Sequence, residues 1–147
     1  WYHLAFVRVG TTAYLYLDGV LKASVGSSTF NHNTSTFTLG NYGGGGSYVW
    51  TGYLSDFRIV KGRGVYTGDF TPPSGPLTTT GGTYPSNTNV NTSFPSAHTY
   101  LLTNQTSSGT VTDNSQYNMT MTQSGISVGA GKQSIAPDLS LIHISEP

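Results

Sequence analysis

The acidic side chains come first in a search for chemistry, because hydrolysis of a glycosidic bond requires a pair of carboxylates. The 147-residue chain has six acids, and five of them precede its last nine residues: Asp18, Asp56, Asp69, Asp113 and Asp138. Asp18 precedes Gly19 in a predicted turn, where its role is conformational, and Asp56 is most simply a structural partner of Arg58. The acids are widely spaced, so we expect the chain not to be an enzyme.

Metal and nucleophile chemistry has equally little support. The chain has no cysteine, and His3, His32 and His98 lack the spacing of metal ligands. The glycine run at residues 43–46 lacks the lysine and the following helix of a phosphate-binding loop. We therefore expect no metal site and no cofactor in this chain.

Two polar loops are better candidates for binding. Asparagine and aromatic side chains in such loops can hydrogen-bond and stack on a sugar, and rigid sandwiches place function on their loops. The candidate ligand-binding residues are Asn31, His32 and Asn33 in the first loop, and Asn41, Tyr42, Tyr48 and Trp50 in the second. The alternative is that Tyr48 and Trp50 pack in the core and the glycines only connect strands.

The composition indicates the elements that must position these loops. The sequence has 22 Thr, 18 Ser, 19 Gly and 10 Tyr but a single Glu, which favours strands and turns over helices. Lys+Arg and Asp+Glu are both 6, and charged residues make up 8% of the chain. That balance excludes a basic nucleic-acid surface and a polybasic membrane patch. No apolar run approaches a membrane span.

The clearest pattern is a three-stranded antiparallel meander over residues 1–24, with the dipeptide Asp18-Gly19 in a type I′ turn. Tyr14 and Tyr16 share one face of its middle strand, where they either line a groove or lie under a second sheet. Further strands are predicted at residues 37–39, 48–50, 53–60, 100–102, 118–122 and 126–128. A single helical turn is predicted within residues 61–68.

Four blocks in order carry a family resemblance: WYHLAFVR at 1–8, LYLDGVL at 15–21, FTLG at 37–40 and GYLSDFRI at 52–59. Together they resemble the C-terminal half of a laminin G-like domain of the concanavalin A-like lectin/glucanase superfamily. The following YTGDFTPP at 66–73 is similar to repeats of marine phage and bacterial surface or virion proteins. The implied fold is all-β, an antiparallel β-sandwich of jelly-roll type, here incomplete.

A second partial repeat follows from the same resemblance. The segments YLL at 100–102, VTDNS at 111–115 and NMTM at 118–121 look like the opening strands of another copy. We therefore divide the chain into a half repeat at 1–76, a polar linker or surface excursion at 77–97, and the start of a second repeat at 98–138. Because the first and last strands of this fold are neighbours, residues 98–128 are predicted to dock beside residues 1–60.

The ends of the sequence are interpreted separately. The chain opens within an apparent strand, so we expect native sequence upstream of Trp1. Residues 139–147, LSLIHISEP, resemble the translation of a sequencing adapter and are interpreted as a probable non-native tail of a metagenomic fragment.

The resemblance implies a non-catalytic carbohydrate-recognition or adhesion module of a larger extracellular, cell-surface or virion protein such as a phage tail fibre. The expected partners are a glycan or surface polysaccharide and neighbouring repeats of the same chain, with no nucleic acid and no membrane insertion. Calcium is expected only in the full domain, with acids from its other half. The alternatives are a structural spacer repeat and an accessory module of a glycoside hydrolase.

Overall fold

The computed structural model describes residues 1–26, 37–41, 49–104 and 110–125. Five strands are present in this part: β1 (Leu4–Val9), β2 (Thr12–Leu17), β3 (Val20–Val25), β4 (Phe57–Val60) and β5 (Thr99–Thr103). One short 3-10 helix, Ser96–His98, precedes β5. Among the described residues, no helix has the length and apolar character needed to cross a bilayer. The all-β class is confirmed, because both sheets are antiparallel and helix is almost absent.

The predicted meander is confirmed as a sheet in the order β1-β2-β3. Its first pair runs in register from Leu4 opposite Leu17 to Val9 opposite Thr12. Asp18 and Gly19 adopt φ values of 51° and 78°, the left-handed pair that a type I′ turn demands. The turn was therefore readable from the dipeptide alone.

The second sheet pairs β4 with β5, which lie about 40 residues apart in sequence. Phe57 lies opposite Thr103 and Ile59 opposite Leu101, in an antiparallel ladder with one irregularity before Val60. This pairing confirms the predicted strand at 100–102 and shows that this strand docks beside residues 1–60, as predicted for the segment 98–128 of which it is part. The division into two partial repeats stays a prediction.

One face of the meander carries the core. Ala5 and Val7 of β1 lie directly opposite Tyr16 and Tyr14 of β2, so their side chains share that face. Val65, Tyr66, Phe70 and Phe94 cover it, and Tyr16 is only 1% exposed. The covering layer is therefore the irregular segment after β4 and not a second sheet, and Tyr14 and Tyr16 do not form an open groove.

The opposite face of the meander is apolar and exposed. Leu4 and Phe6 of β1 and Val20 and Val25 of β3 are all at least 47% exposed, and Leu4 reaches 69%. Apolar residues on both faces of a strand are typical of a sheet that is covered on both sides. The sandwich is therefore open on this side in the described part of the chain, which confirms the prediction of an incomplete sandwich.

Residues 77–97, predicted to be a polar linker or surface excursion, contain no strand but are packed on the rest of the molecule. Leu77 and Phe94 are buried. The Arg58 guanidinium lies 5.4 Å from the centre of the Phe94 ring, and its Nη1 donates to the carbonyls of Thr78, at 2.9 Å, and Gly81. An arginine on β4 therefore holds this segment in place.

Three predicted elements are absent, and a fourth is shorter than predicted. Residues 37–39 form no strand, and only Phe57–Val60 of the predicted strand at 53–60 is one, because the positive φ of Asp56 (51°) interrupts the extended backbone. Residues 61–68 form no helical turn, since the Lys61 amide donates to the carbonyl of His98 and not within the segment. Residues 118–122 form no strand, because Asn118 has φ 45° and the Met119 amide donates to Asp113. The predicted strand at 126–128 lies outside the described residues.

Candidate functional site

Two of the predicted binding residues, Asn41 and Trp50, lie at the base of the second loop. Asn41 pairs with Val49 in an isolated antiparallel bridge, and the Trp50 amide donates to the Gly40 carbonyl at 2.7 Å. These two backbone contacts bring the loop ends together. The other predicted binding residues lie outside the described part of the chain: Asn31, His32, Asn33, Tyr42 and Tyr48.

The Trp50 side chain faces outward. It is 62% exposed, so the alternative that Trp50 packs in the core is wrong. Its indole lies against the backbone of Gly52, where an added Cβ atom would meet Trp50 Nε1 at 3.1 Å. Gly52 has φ 148°, a conformation that side-chain-bearing residues rarely adopt. Glycine at this position therefore leaves room for the indole on the surface.

Asn41 carries an unused acceptor beside this tryptophan. Its Oδ1 is buried and has no hydrogen-bond donor in the described structure. Most buried side-chain polar atoms in proteins do have a partner, and an unpaired one is costly. Residues 37–41 and 49–55, which we call the rim, therefore contain an exposed aromatic ring and a buried amide oxygen that lacks a donor.

Two further aromatic residues are exposed, and sequence reasoning missed both as site residues. Tyr53, three residues beyond Trp50, is 85% exposed, and Trp1 is 59% exposed. Their ring centres are 6.5 Å apart with a 53° tilt. Trp1 and Tyr53 sit within apolar strand-like runs, so their pattern indicated core positions. We call Trp1, Trp50 and Tyr53 together the aromatic surface.

The sequence around the aromatic surface is free of charge. Residues 37–41 and 49–55 contain no Asp, Glu, Lys or Arg. The next residue, Asp56, is buried. Burial raises the pKa of its carboxyl, although hydrogen bonds from the Ser55 hydroxyl and the Leu77 backbone partly oppose this rise. The rim therefore favours a neutral ligand over a charged one.

The other described carboxylates each serve the backbone. Asp18 Oδ1 accepts from the His3 amide and Asp69 Oδ1 from the Leu21 amide, both at 2.8 Å. Asp113 is buried and accepts from three backbone amides, those of Leu102, Ser115 and Met119. Within the described residues, no group of three acidic, histidine or cysteine side chains could hold a metal ion.

His3 is a packed histidine. Its ring lies edge-on to Tyr66 and Phe70, with centroid distances of 5.7 and 5.4 Å, and its Nε2 is 3.4 Å from the Tyr66 hydroxyl. Burial lowers its pKa, and the nearby charge of Asp18 only partly offsets that effect. The ring is therefore held neutral against the aromatic core.

Comparisons with known proteins place the first part of the chain. A laminin G family model, described as the concanavalin A-like lectin/glucanases superfamily, matches residues 1–63. The comparison with curated proteins found no match. The comparison with solved structures found none either. The matched residues include the meander, β4 and the aromatic surface. Residues 1–63 are therefore similar to the laminin G model of the concanavalin A-like lectin/glucanases superfamily.

Proposed function

We propose that this chain is a non-catalytic module that recognises neutral glycans through Trp50 and the rim around it. The observation that carries the proposal is the exposed Trp50 indole, set on a rim whose sequence carries no charged residue. Its superfamily includes carbohydrate-binding modules, which agrees with this role.

The chemistry of a sugar fits this surface. The C–H face of a pyranose is apolar and weakly positive, so it packs against the negative face of an aromatic ring. The sugar hydroxyls are donors and acceptors, so they can hydrogen-bond polar groups that face solvent around the indole. A tryptophan held in place by the Trp50–Gly40 backbone bond loses little freedom on binding.

The non-catalytic part of the proposal rests on the carboxylates. Asp18, Asp69 and Asp113 are already committed to backbone amides. Asp56 is buried with a raised pKa, but glycoside hydrolysis needs a second carboxyl group at a defined separation across the bond. These acids have conformational roles that account for their positions without catalysis.

The module is further proposed to act within a larger extracellular, cell-surface or virion protein, where adhesion would be its role. Two alternatives remain part of the proposal's test. A structural spacer repeat would leave Trp50 without a ligand, and an accessory module of a glycoside hydrolase would bind the polysaccharide that its neighbouring domain cleaves.

A glycan array tests the proposal, with the wild type and Trp50→Ala compared in the presence and absence of calcium. The matched control is Val49→Ala, because Val49 is 60% exposed and adjacent to Trp50 in the sequence. We expect the wild type and Val49→Ala to retain the same neutral glycans and Trp50→Ala to lose them. Retention by none of the three proteins would support the spacer alternative, and equal retention by all three would contradict recognition at Trp50.

A further inference from the structure

We infer that Trp1 and Tyr53 form a second aromatic subsite, so that the aromatic surface takes a neutral oligosaccharide and not a single sugar. This inference rests on the proposed function. It goes beyond it by assigning a ligand contact to two residues on a different part of the surface from the loop that holds Asn41 and Trp50.

The two rings meet although they lie 52 positions apart in the chain. Their centres are 6.5 Å apart and their planes are tilted by 53°, so neither ring covers the face of the other. Tyr53 is 85% exposed and Trp1 59% exposed. The ring faces are therefore available to a ligand that approaches from solvent.

Trp1 is positioned by backbone contacts two residues away. The His3 amide donates to Asp18 Oδ1 at 2.8 Å, and the Asp18 amide donates back to the His3 carbonyl, also at 2.8 Å. The His3 ring is fixed between Tyr66 and Phe70. The start of the chain is thereby tied to the meander next to where Tyr53 lies.

The spacing of the subsites sets the ligand class. Trp50 and Tyr53 are three residues apart, so their Cα atoms are separated by at most roughly 10 Å. A pyranose stacked on one ring cannot also stack on a separate ring, so a ligand that contacts both subsites needs more than one sugar unit. Since residues 49–55 carry no charge, the chain that fits is a neutral one.

The two tryptophans of the sequence make a direct test possible. A ¹⁵N-labelled sample gives two indole N–H signals, one for Trp1 and one for Trp50, which Trp1→Phe and Trp50→Phe assign. The probe is the neutral array glycan retained best by the wild type, prepared as a series from its monosaccharide to its hexamer. Tyr53→Ala is the test variant, and Tyr2→Ala, at another highly exposed tyrosine, is its control.

We expect the monosaccharide to shift the Trp50 signal alone and the longer members to shift both signals. Tyr53→Ala should weaken binding of the hexamer by about tenfold and leave the monosaccharide unchanged, whereas Tyr2→Ala should change neither. A Trp1 signal that no member of the series moves would overturn the second subsite and leave the proposed function intact. If neither indole signal moves, the proposed function fails as well.

Sedimentation tests whether a second copy of the chain, and not a saccharide, covers Trp1 and Tyr53. If Tyr53→Ala changed the oligomeric state measured by sedimentation and left hexamer binding unchanged, the pair would be a contact between copies of the chain. That result would overturn the saccharide subsite while glycan binding at Trp50 still held.

Discussion

Replacing Asp113 by asparagine should remove a large part of the stability of the segment that follows β5. The carboxylate is 4% exposed and accepts the amides of Leu102 at 3.0 Å and of Ser115 and Met119 at 2.8 Å each. The Ser115 hydroxyl donates to its Oδ2 at 2.8 Å. Four donors therefore converge on one buried anion, which ties the loop to β5.

The loss of stability follows from the hydrogen bonds that an asparagine side chain can and cannot accept at position 113. Its Oδ1 keeps the bonds from Leu102 and Ser115 but without the charge, and its amide group faces the Met119 N–H, donor against donor. Hydrogen bonds to charged groups contribute about 1.5–3 kcal/mol, and an unpaired buried donor costs about 1–3 kcal/mol. We expect Asp113→Asn to lower the free energy of unfolding by about 3 kcal/mol.

Urea denaturation followed by tyrosine and tryptophan fluorescence measures this change. The control is Asp69→Asn, because Asp69 is exposed and its Oδ1, which asparagine retains, accepts one amide, that of Leu21. We expect a loss of at most about 0.5 kcal/mol there. Equal losses in the two variants would refute the role assigned to the buried carboxylate.

The Asp113 carboxyl also makes the stability of the protein depend on pH in the acid range. Burial would raise the pKa of Asp113, but the hydrogen bonds from Met119, Ser115 and Leu102 outweigh it and hold the pKa below its usual value. The stabilisation is therefore present above the unfolded pKa of about 3.9 and is lost as pH falls through the folded value. Asp113→Asn should lack this part of the acid dependence.

Two further predictions concern the meander. Gly19→Ala should lower the free energy of unfolding, measured in urea, more than Gly10→Ala does. Both glycines have positive φ, but a Cβ at Gly19 would lie 1.9 Å from the Phe70 carbonyl oxygen, whereas Gly10 has nothing within 4 Å. Equal losses in the two variants would argue against this contact. Burial lowers the pKa of His3, so stability should be complete above about pH 6.5 and fall as pH drops toward the folded value. His3→Gln should flatten this dependence between pH 7 and 5, and an unchanged slope would contradict the neutral packing against Tyr66.

Local chemistry predicted the parts of the fold whose cause is local. The Asp18-Gly19 turn needs positive φ at both residues, and this dipeptide supplies it, so the meander followed. The strand at 100–102 and its docking beside β4 followed from the family resemblance together with its apolar residues. The turn needed no knowledge of distant contacts, whereas the docking depended on the resemblance.

The wrongly predicted elements contain backbone amides whose hydrogen-bond partners lie outside the element. The Met119 amide bonds to a carboxylate and the Lys61 amide to a carbonyl 37 residues away, and neither partner is visible in the local pattern. In the candidate site, the sequence identified Asn41 and Trp50. It missed Trp1 and Tyr53, because an aromatic residue in an apolar run looks the same whether its face is covered or exposed.

Titration calorimetry with the neutral glycan retained best on the array tests the central claim most directly. We predict that wild type and Val49→Ala bind with equal affinity, that Trp50→Ala loses at least about tenfold, and that raising salt from 0.15 to 1 M changes little because the ligand is neutral. Binding that survives Trp50→Ala, or that weakens steeply with salt, would contradict recognition of a neutral glycan at this tryptophan.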